Sequence, residues 1–336
     1  MNIAILSPVN MSPMARQITT KLQNDPVLRE NGHVYEHIEF TTRVFPSGEL
    51  LPEIPLSVRS KRVYLLHCPA LPEPNVGYME LLLVLNALKL AWVESATVVA
   101  PYLPYFRQDR KADDQRVPIS ARVIADLIKA TGIVKGIITM DLHVDQEQAF
   151  FDCPTQNLSG RAVFGPYLRQ WLGIKRIPLD RVIVSSTDLG GSKRAQRFAR
   201  AIDPSIPVGT LLKERKAGSE VDSLGYIGPD VRDKTVILYD DMIDTGHSIV
   251  AGVQALNERS ADEVIVCGTH GVFSGGAEEL LRRAHATTIA LDTIPRRGSF
   301  YHRNCGWLKV LSIADYLTDV IRESHRDGGS VSAIKT

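Results

Sequence analysis

The sequence has few of the features that mark extracellular, zinc-binding or nucleic-acid-binding proteins. It contains four cysteines in 336 residues, and none of them stands in a CxxC pair or at metal-ligand spacing. A disulfide scaffold or a zinc module is therefore not expected, and the cysteines are interpreted as reduced structural thiols. The 39 basic and 38 acidic side chains nearly cancel. Such a balance gives no reason to expect nucleic acid or an anionic membrane as a partner.

Long apolar runs are also missing. The longest apolar stretch, 79–92, is interrupted by Glu80, Asn86 and Lys89, and it is shorter than the roughly 20 residues that a membrane-spanning helix needs. The opening MNIAILSPVN has no basic segment ahead of its short apolar run, so no secretory signal is predicted. We expect a soluble, cytoplasmic protein with no membrane association.

The chain does contain a regular alternation of short apolar runs and helical segments. Predicted strands cover 2–6, 62–67, 96–100, 136–140, 182–186, 236–239, 263–267, 288–292 and 308–311. Strands that alternate with helices are typical of an α/β fold with a mostly parallel sheet. The length exceeds that of one core, so two domains of about 150 residues are predicted. The polar end, 325–336, is predicted to be disordered.

The most informative stretch is VILYDDMIDTGHSI at 236–249. Its apolar start predicts a buried strand that delivers Asp240 and Asp241 to the carboxyl end of a sheet. Small and hydroxylated residues follow and open a helix near Ile249: Asp244, Thr245, Gly246 and Ser248. Such a turn can cradle a phosphate, and paired carboxylates can accept hydrogen bonds from ribose hydroxyls or hold Mg²⁺. The stretch therefore indicates a sugar-phosphate site, with an ordinary Asp-rich loop as the alternative.

A dense charged loop, 107–116, follows the aromatic segment Tyr102–Phe106. Arg107 and Gln108 open this loop, and guanidinium groups bind phosphate bidentately. The pattern predicts a lid over a triphosphate or, alternatively, a solvated loop. The aromatic side chains would serve either as a platform for a base or as core.

Two further clusters follow predicted strands. Asp141 and His143 come after 136–140, where the histidine would hold Mg²⁺ or phosphate, although a structural histidine fits the pattern equally well. Asp188, Gly190 and Gly191 precede a helix and suggest a second anion nest whose acid holds a metal. A plain helix start is the alternative for the second cluster.

A basic pair lies in the segment KERK. Lys213 and Arg215 are two residues apart, so on an extended chain they would share one face. Cations in that position could stabilise the charge that develops on a transferring phosphoryl group. An ordinary solvated charge run would look the same in the sequence.

Taken together, six stretches resemble the ribose-phosphate diphosphokinases. They are PYLPYFRQDRK, RVPISARVIADLI, GIITMDLHVDQEQAFFDCPTQNL, KERK, VILYDDMIDTGHS and THGVFSG, and the resemblance runs from residue 45 to about 321. Phosphoribosyltransferases share the DDMIDTGHS motif but lack the RQDRK loop and the MDLH segment. The order and combination of the stretches identify the chain as a member of the diphosphokinase family.

The resemblance implies two phosphoribosyltransferase-type domains. The first would cover 1–155, with an ATP lid at about 102–118, and would be joined by the last helix, 312–324. The second would cover 156–311 and carry the ribose 5-phosphate loop. The implied reaction is transfer of the pyrophosphoryl group of Mg-ATP to ribose 5-phosphate. A homo-oligomer, from dimer to hexamer, is also implied, with adenine bound partly by a neighbouring subunit.

The resemblance also assigns roles to individual residues. The ATP site would comprise Phe45, Glu49, Arg107, Gln108 and His143; the metal site His143 and Asp188; the catalytic cations Lys213 and Arg215; and the ribose 5-phosphate site Asp240, Asp241, Asp244, Thr245, Gly246 and Ser248. Alternatives are a catalytically silent regulatory subunit of a synthetase complex, or a phosphoribosyltransferase.

The sequence departs from the family pattern in several places. Ser47 stands where the family usually has Asp or Asn, and His247 lies inside the sugar-phosphate loop. Thr187 replaces a common proline ahead of Asp188. These differences predict a divergent synthetase.

Overall fold

The computed structural model describes residues 1–111, 116–214, 223–325 and 334. The chain forms two compact units. Unit 1 contains residues 1–159 and 293–295 and the segment that begins at Ala314. Unit 2 contains residues 160–292 and 296–313. The predicted disordered tail lies outside the described residues except for His325 and Ile334.

Unit 1 is built on one seven-stranded sheet. Its strands are β1 (Asn2–Pro8), β2 (Val34–Val44), β3 (Leu50–Glu53), β4 (Arg62–Leu66), β5 (Ser95–Val99), β6 (Val134–Met140) and β7 (Thr155–Leu158). Their order is β3-β2-β1-β4-β5-β6-β7, and only the edge strand β3 runs antiparallel to its neighbour. The helices are α1 (Ser12–Gln23), α2 (Pro26–Glu30), α3 (Pro74–Leu90) and α4 (Ser120–Ala130).

Unit 2 repeats this plan. Its strands are β8 (Val182–Ser186), β9 (Val208–Glu214), β10 (Ser223–Ile227), β11 (Thr235–Ile243), β12 (Glu263–Gly271), β13 (Thr287–Leu291) and β14 (Leu308–Leu311). They lie in the order β10-β9-β8-β11-β12-β13-β14, with β10 alone antiparallel. Its helices are α5 (Arg161–Lys175), α6 (Ser192–Ile202), α7 (His247–Glu258), α8 (Ala277–Arg283) and α9 (Gly298–Asn304). The last helix, α10 (Ala314–Glu323), belongs to unit 1.

Burial explains why these segments form parallel strands. All five residues of β8 are buried, and so are eight of the nine residues of β12. A central parallel strand has helices on both faces, so it carries an almost continuous apolar run instead of an alternating one. The predicted α/β class with mostly parallel sheets is thus confirmed.

The strand order also locates the point where ligands bind. In unit 2 the order reverses between β8 and β11, because β9 and β10 lie on one side and β12 to β14 on the other. Ligands of open α/β sheets bind outside the carboxyl ends of the strands at such a switch point. The loop after β8 and the carboxyl end of β11 therefore form the first candidate site in unit 2.

Several element boundaries differ from the prediction. The strand predicted at 236–239 continues to Ile243, and the following helix begins at His247 instead of near Ile249. Some elements lie in segments whose sequence pattern predicts neither helix nor strand clearly. They are α2, β2, β3, β7 and β10, and they are short or half-exposed. No helix among the described residues is both long enough and apolar enough to span a membrane. All four cysteines are free thiols, and Cys68 and Cys267 are buried.

Candidate active site

Asp240 and Asp241 lie near the carboxyl end of β11. Side chains from neighbouring elements of unit 2 contact both of them. Thr187, which directly follows β8, donates a 2.6 Å hydrogen bond from its hydroxyl to Asp240 Oδ2. The backbone N–H of Asp241 donates to Asp240 Oδ1 at 2.8 Å. Asp240 is therefore fixed from both sides at the switch point of the sheet.

An arginine neutralises the second acid. Arg194, on the first turn of α6, places its guanidinium Nη2 3.0 Å from Asp241 Oδ1. The Asp241 side chain is only 5% exposed and that of Arg194 is 28% exposed. Since water screens this pair poorly, the attraction is stronger than that of a surface ion pair.

The environment of Asp240 disfavours the charged form of its carboxyl group. Removal from water, followed by the hydrogen bond and charge of the neighbouring Asp241, raises the pKa of Asp240 to about 8. The Thr187 hydroxyl and Arg194 act in the opposite direction but do not cancel these effects. Around neutral pH the two acids therefore tend to share one proton, and a cation or a hydroxyl donor brought to Asp240 would favour its charged form.

The predicted phosphate loop lies between β11 and α7. Gly246 adopts φ +80°, a left-handed conformation that favours glycine, and its carbonyl accepts the Val250 N–H at 2.9 Å. Thr245 and Ser248 are exposed. The first N–H groups of a helix have no partner within the helix, so this loop offers donors and a favourable dipole to an anion.

The second predicted anion nest forms after β8. Asp188 Oδ1 accepts the N–H of Gly191 at 2.8 Å, and Ser186 Oγ donates to the Asp188 carbonyl at 2.8 Å. These bonds close a tight turn ahead of α6 and hold the exposed Asp188 carboxylate in one orientation. The nest and the Asp240 pair lie on the two strands that flank the switch point of unit 2.

The basic pair is only partly described. Lys213 lies near the end of β9, where its backbone pairs with Leu224 of β10. β9 and its parallel neighbour β8 thus end at the same carboxyl edge of the sheet. Arg215 lies outside the described residues, so its assignment and the shared face of the pair stay predictions.

In unit 1 a network of hydrogen bonds orders the MDLH loop after β6. Asn157 of β7 accepts the Leu142 N–H at 3.0 Å and donates to Asp145 Oδ1 at 3.3 Å, so it bonds the loop on both sides of His143. Asp141 has φ +37° and accepts a 3.1 Å hydrogen bond from Ser159 Oγ. Hydrogen bonds on both sides therefore hold the turn that carries the half-buried His143.

The lid region begins after β5. Phe106 is 3% exposed and stacks on Phe151 at 5.7 Å, so this aromatic residue packs in the core instead of forming a platform. Arg107 is exposed, and Gln108 is held by hydrogen bonds from Ser120 Oγ and from the Ala121 N–H. Part of the lid, 112–115, lies outside the described residues.

The other predicted ATP residues lie on the hairpin between β2 and β3. The Arg43 guanidinium covers the Phe45 ring at 5.1 Å, and Ser47 Oγ donates to Glu49 Oε2 at 2.8 Å. β1 and β4 separate β2 from β5. With a strand spacing of about 4.8 Å, this order places the hairpin base about 14 Å from the strand that leads to Arg107. Within unit 1 the two groups of predicted ATP residues therefore do not form one cluster.

The described residues offer few protein donors for Mg²⁺. Among residues 1–111, 116–214 and 223–325, no group of three His, Cys, Asp or Glu side chains could hold a metal by itself. Mg²⁺ commonly uses only one or two carboxylates together with waters and substrate phosphates. The exposed carboxylate of Asp188 fits that role, whereas the imidazole of His143 is a poor ligand for a hard cation and a better partner for phosphate.

Two residues of this site have no assigned role in the sequence interpretation. Thr187 is noted there only as a departure from the family pattern, and Arg194 is not singled out. Their partners are 53 and 47 residues away in the chain, so no local pattern could reveal the contacts.

The Arg194 pair provides a test of the electrostatics. We expect Arg194→Ala to lower the free energy of unfolding at pH 8 by about 1–3 kcal/mol, because the substitution leaves the acid pair without its facing cation. The loss should be smaller at pH 5, where the pair holds more protons. Urea unfolding at both pH values measures the effect. Arg200→Ala, on the exposed face of the same helix, is the matched control, and equal losses in the two variants would contradict the prediction.

The fold and site together define a class. The chain is a doubly wound α/β protein with two units, and unit 2 carries an acidic, phosphate-type loop at its switch point. That arrangement is suited to a phosphorylated sugar.

Comparison with known proteins identifies the family. Residues 3–132 match the model of the N-terminal domain of ribose phosphate pyrophosphokinase, and residues 186–334 match the phosphoribosyl synthetase-associated domain. A ribose-phosphate pyrophosphokinase of Thermotoga maritima is 38% identical over 278 residues, which are 82% of this chain and 84% of the relative. One of Porphyromonas gingivalis is 35% identical over 322 residues, 96% and 94% of the two chains.

A solved structure agrees with these matches. The crystal structure of phosphoribosylpyrophosphate synthetase from Mycobacterium smegmatis superposes with a TM-score of 0.80 at 32% identity, covering 96% of this chain and 99% of that one. The chain therefore belongs to the ribose-phosphate pyrophosphokinase family, and the family predicted from the six sequence stretches is confirmed.

Proposed function

We propose that the chain carries out the reaction of its family with ATP and ribose 5-phosphate as its substrates. The anomeric hydroxyl oxygen of ribose 5-phosphate attacks the β-phosphorus of ATP in line. A bond forms between that oxygen and the β-phosphorus, the bond from the β-phosphorus to the oxygen bridging to the α-phosphorus breaks, AMP leaves, and the hydroxyl proton is released. The observation that carries the proposal is the fixed acid pair beside the phosphate-type loop, in a chain that belongs to this family.

The residues of unit 2 would bind the acceptor. We assign the ribose hydroxyls to Asp240 and Asp241, because the Thr187 and Arg194 contacts hold these carboxylates in place as hydrogen-bond acceptors. The 5-phosphate would occupy the loop formed by Asp244, Thr245, Gly246 and Ser248, where the dipole and N–H groups of α7 favour an anion. In-line transfer depends mainly on positioning and charge neutralisation, which is the role proposed for Lys213 and Arg215.

The donor would be bound by unit 1. Arg107, Gln108 and His143 follow the neighbouring strands β5 and β6, so they emerge at one edge of the sheet and are suited to the ATP phosphates. Mg²⁺, held by Asp188 and the substrate phosphates, would neutralise charge on the transferring group. His143 stays in the proposed metal site, although the chemistry of an imidazole favours contact with phosphate over Mg²⁺.

The separated hairpin supports an oligomer. Because Phe45 and Glu49 lie about three strand spacings from β5 in their own subunit, we propose that they contact adenine bound by a second copy of the chain. The assembly would then be a homo-oligomer between a dimer and a hexamer. Sedimentation of the purified chain with and without Mg-ATP measures the oligomeric state and so tests the proposed assembly. A cytoplasmic location stays a prediction.

One incubation tests the activity. Purified protein with ATP, Mg²⁺ and ribose 5-phosphate should form AMP and phosphoribosyl pyrophosphate in equal amounts. We expect excess EDTA to abolish both products and added Mg²⁺ to restore them, since the transferring group needs its charge neutralised. Absence of both products across a range of inorganic phosphate concentrations would overturn the proposal and favour a silent subunit.

A further inference from the structure

The segment THGVFSG is part of the family resemblance, but the proposed chemistry gives it no task. It covers the end of β12 and the turn before α8. In unit 2 this turn lies directly against the loop that links β11 to α7. The contacts between the two turns point to a function for the segment.

Ser274 bonds twice to one residue of the sugar-phosphate loop. Its hydroxyl donates to Asp244 Oδ1, and its backbone N–H donates to the Asp244 carbonyl at 3.1 Å. The same residue therefore holds both the main chain and the side chain of Asp244. A carboxylate that accepts a hydroxyl hydrogen bond keeps one orientation, which a free side chain would have to acquire at an entropic cost.

Backbone hydrogen bonds next to Asp244 and Ser274 also join the two turns. The carbonyl of Ile243, the last residue of β11, accepts N–H groups from Val272 at 2.9 Å and Phe273 at 3.0 Å. Ile243 is fully buried. Four hydrogen bonds thus join residues 243–244 to residues 272–274, and they fix the point where the phosphate loop leaves the strand.

Packing holds the centre of the loop. A Cβ built on Gly246 would lie 3.4 Å from Leu281 Cγ and 3.7 Å from Ala277 Cβ, so the loop rests closely on α8. Gly246 also has φ +80°, which disfavours any side chain there. The loop is therefore supported by the apolar face of α8 beneath Gly246 and by Ser274 at Asp244.

We infer that Ser274 is a positioning residue that orients the Asp244 carboxylate, and with it the phosphate loop, for ribose 5-phosphate. This inference rests on the proposed assignment of Asp244 to the ribose 5-phosphate site. A carboxylate beside a phosphate cradle repels the phosphate if it swings inward. The hydrogen bond from the Ser274 hydroxyl to Asp244 Oδ1 restricts that movement of the carboxylate.

The test compares Ser274→Ala with Ser274→Thr in the full-length protein. Ser274 is exposed, so loss of its hydroxyl should not disturb the core. We expect Ser274→Ala to raise the KM and the calorimetric Kd for ribose 5-phosphate about fivefold to tenfold, with kcat and the KM for ATP within twofold of wild type. Ser274→Thr retains the hydroxyl and should recover most of the affinity.

A matched control removes the same kind of bond elsewhere. Ser205 Oγ donates to Asp203 Oδ1 at 2.7 Å on an exposed turn of unit 2, and Ser205→Ala should leave both constants unchanged. An unchanged KM for ribose 5-phosphate in Ser274→Ala, or an equal loss in Ser274→Ala and Ser274→Thr, would overturn the inference while the wild type remains active. A wild type that binds no ribose 5-phosphate would overturn the proposed site as well.

Discussion

Replacing Lys213 by alanine is expected to lower kcat about 10²- to 10³-fold while the Kd for ribose 5-phosphate changes less than twofold. The proposed role of Lys213 is to stabilise charge that develops on the phosphoryl group only in the transition state. Removing one such preorganised group typically costs this much in rate and little in ground-state binding. Single-turnover formation of AMP and calorimetric binding of ribose 5-phosphate measure the two quantities separately.

The location of Lys213 supports this expectation. The residue lies near the carboxyl end of β9, one strand from β8 and two strands from β11, which carries the acid pair. Lys234→Ala is the matched control, because the Lys234 ammonium bonds the Asp180 carbonyl in the same unit. Turnover near the wild-type value in Lys213→Ala would remove the catalytic assignment.

Replacing Asp240 by asparagine should separate stability from function. The amide cannot ionise and so removes a carboxyl whose pKa in the folded protein is raised to about 8. We expect kcat/KM for ribose 5-phosphate to fall about 10- to 100-fold, because a charge-assisted acceptor of the ribose hydroxyls is lost. The same variant should be more stable than wild type in alkaline solution without ligands.

The stability difference has a defined pH dependence. A carboxyl with a raised folded-state pKa stabilises the fold fully below its unfolded pKa of about 4, and that contribution is lost as the pH rises through 8. The unfolding free energy of Asp240→Asn should therefore exceed that of wild type increasingly between pH 5 and pH 9, by about 4 kcal/mol in total.

Denaturant unfolding in EDTA, without phosphate or nucleotide, measures this gap. Asp262→Asn provides the control, since Asp262 is an exposed partner of Arg181 and its replacement should produce little pH dependence. A gap for Asp240→Asn that stays constant from pH 5 to pH 9 would show that Asp240 titrates like an ordinary carboxyl.

The central strands and the chemical groups of the site were predictable because their signals are local. An apolar run such as VIVSS is typical of a strand buried in the middle of a sheet, and the residue types of the DDMIDTGHS stretch predict an anion cradle beside two acids. The antiparallel edge strands had no such signal. β10 and β3 are short and half-exposed, so their residues resemble those of loops.

The sequence by itself determined the alternation of strands and helices, the family, and which residues could carry charge or bind phosphate. Tertiary structure alone decided which of those residues meet. Thr187 reaches Asp240 and Arg194 reaches Asp241 because β8 pairs with β11, although the bonded residues lie far apart in the chain. The same pairing partly removes the acids from water and so raises the pKa of Asp240. Such effects depend on strand order and burial, which are long-range properties that no local pattern encodes.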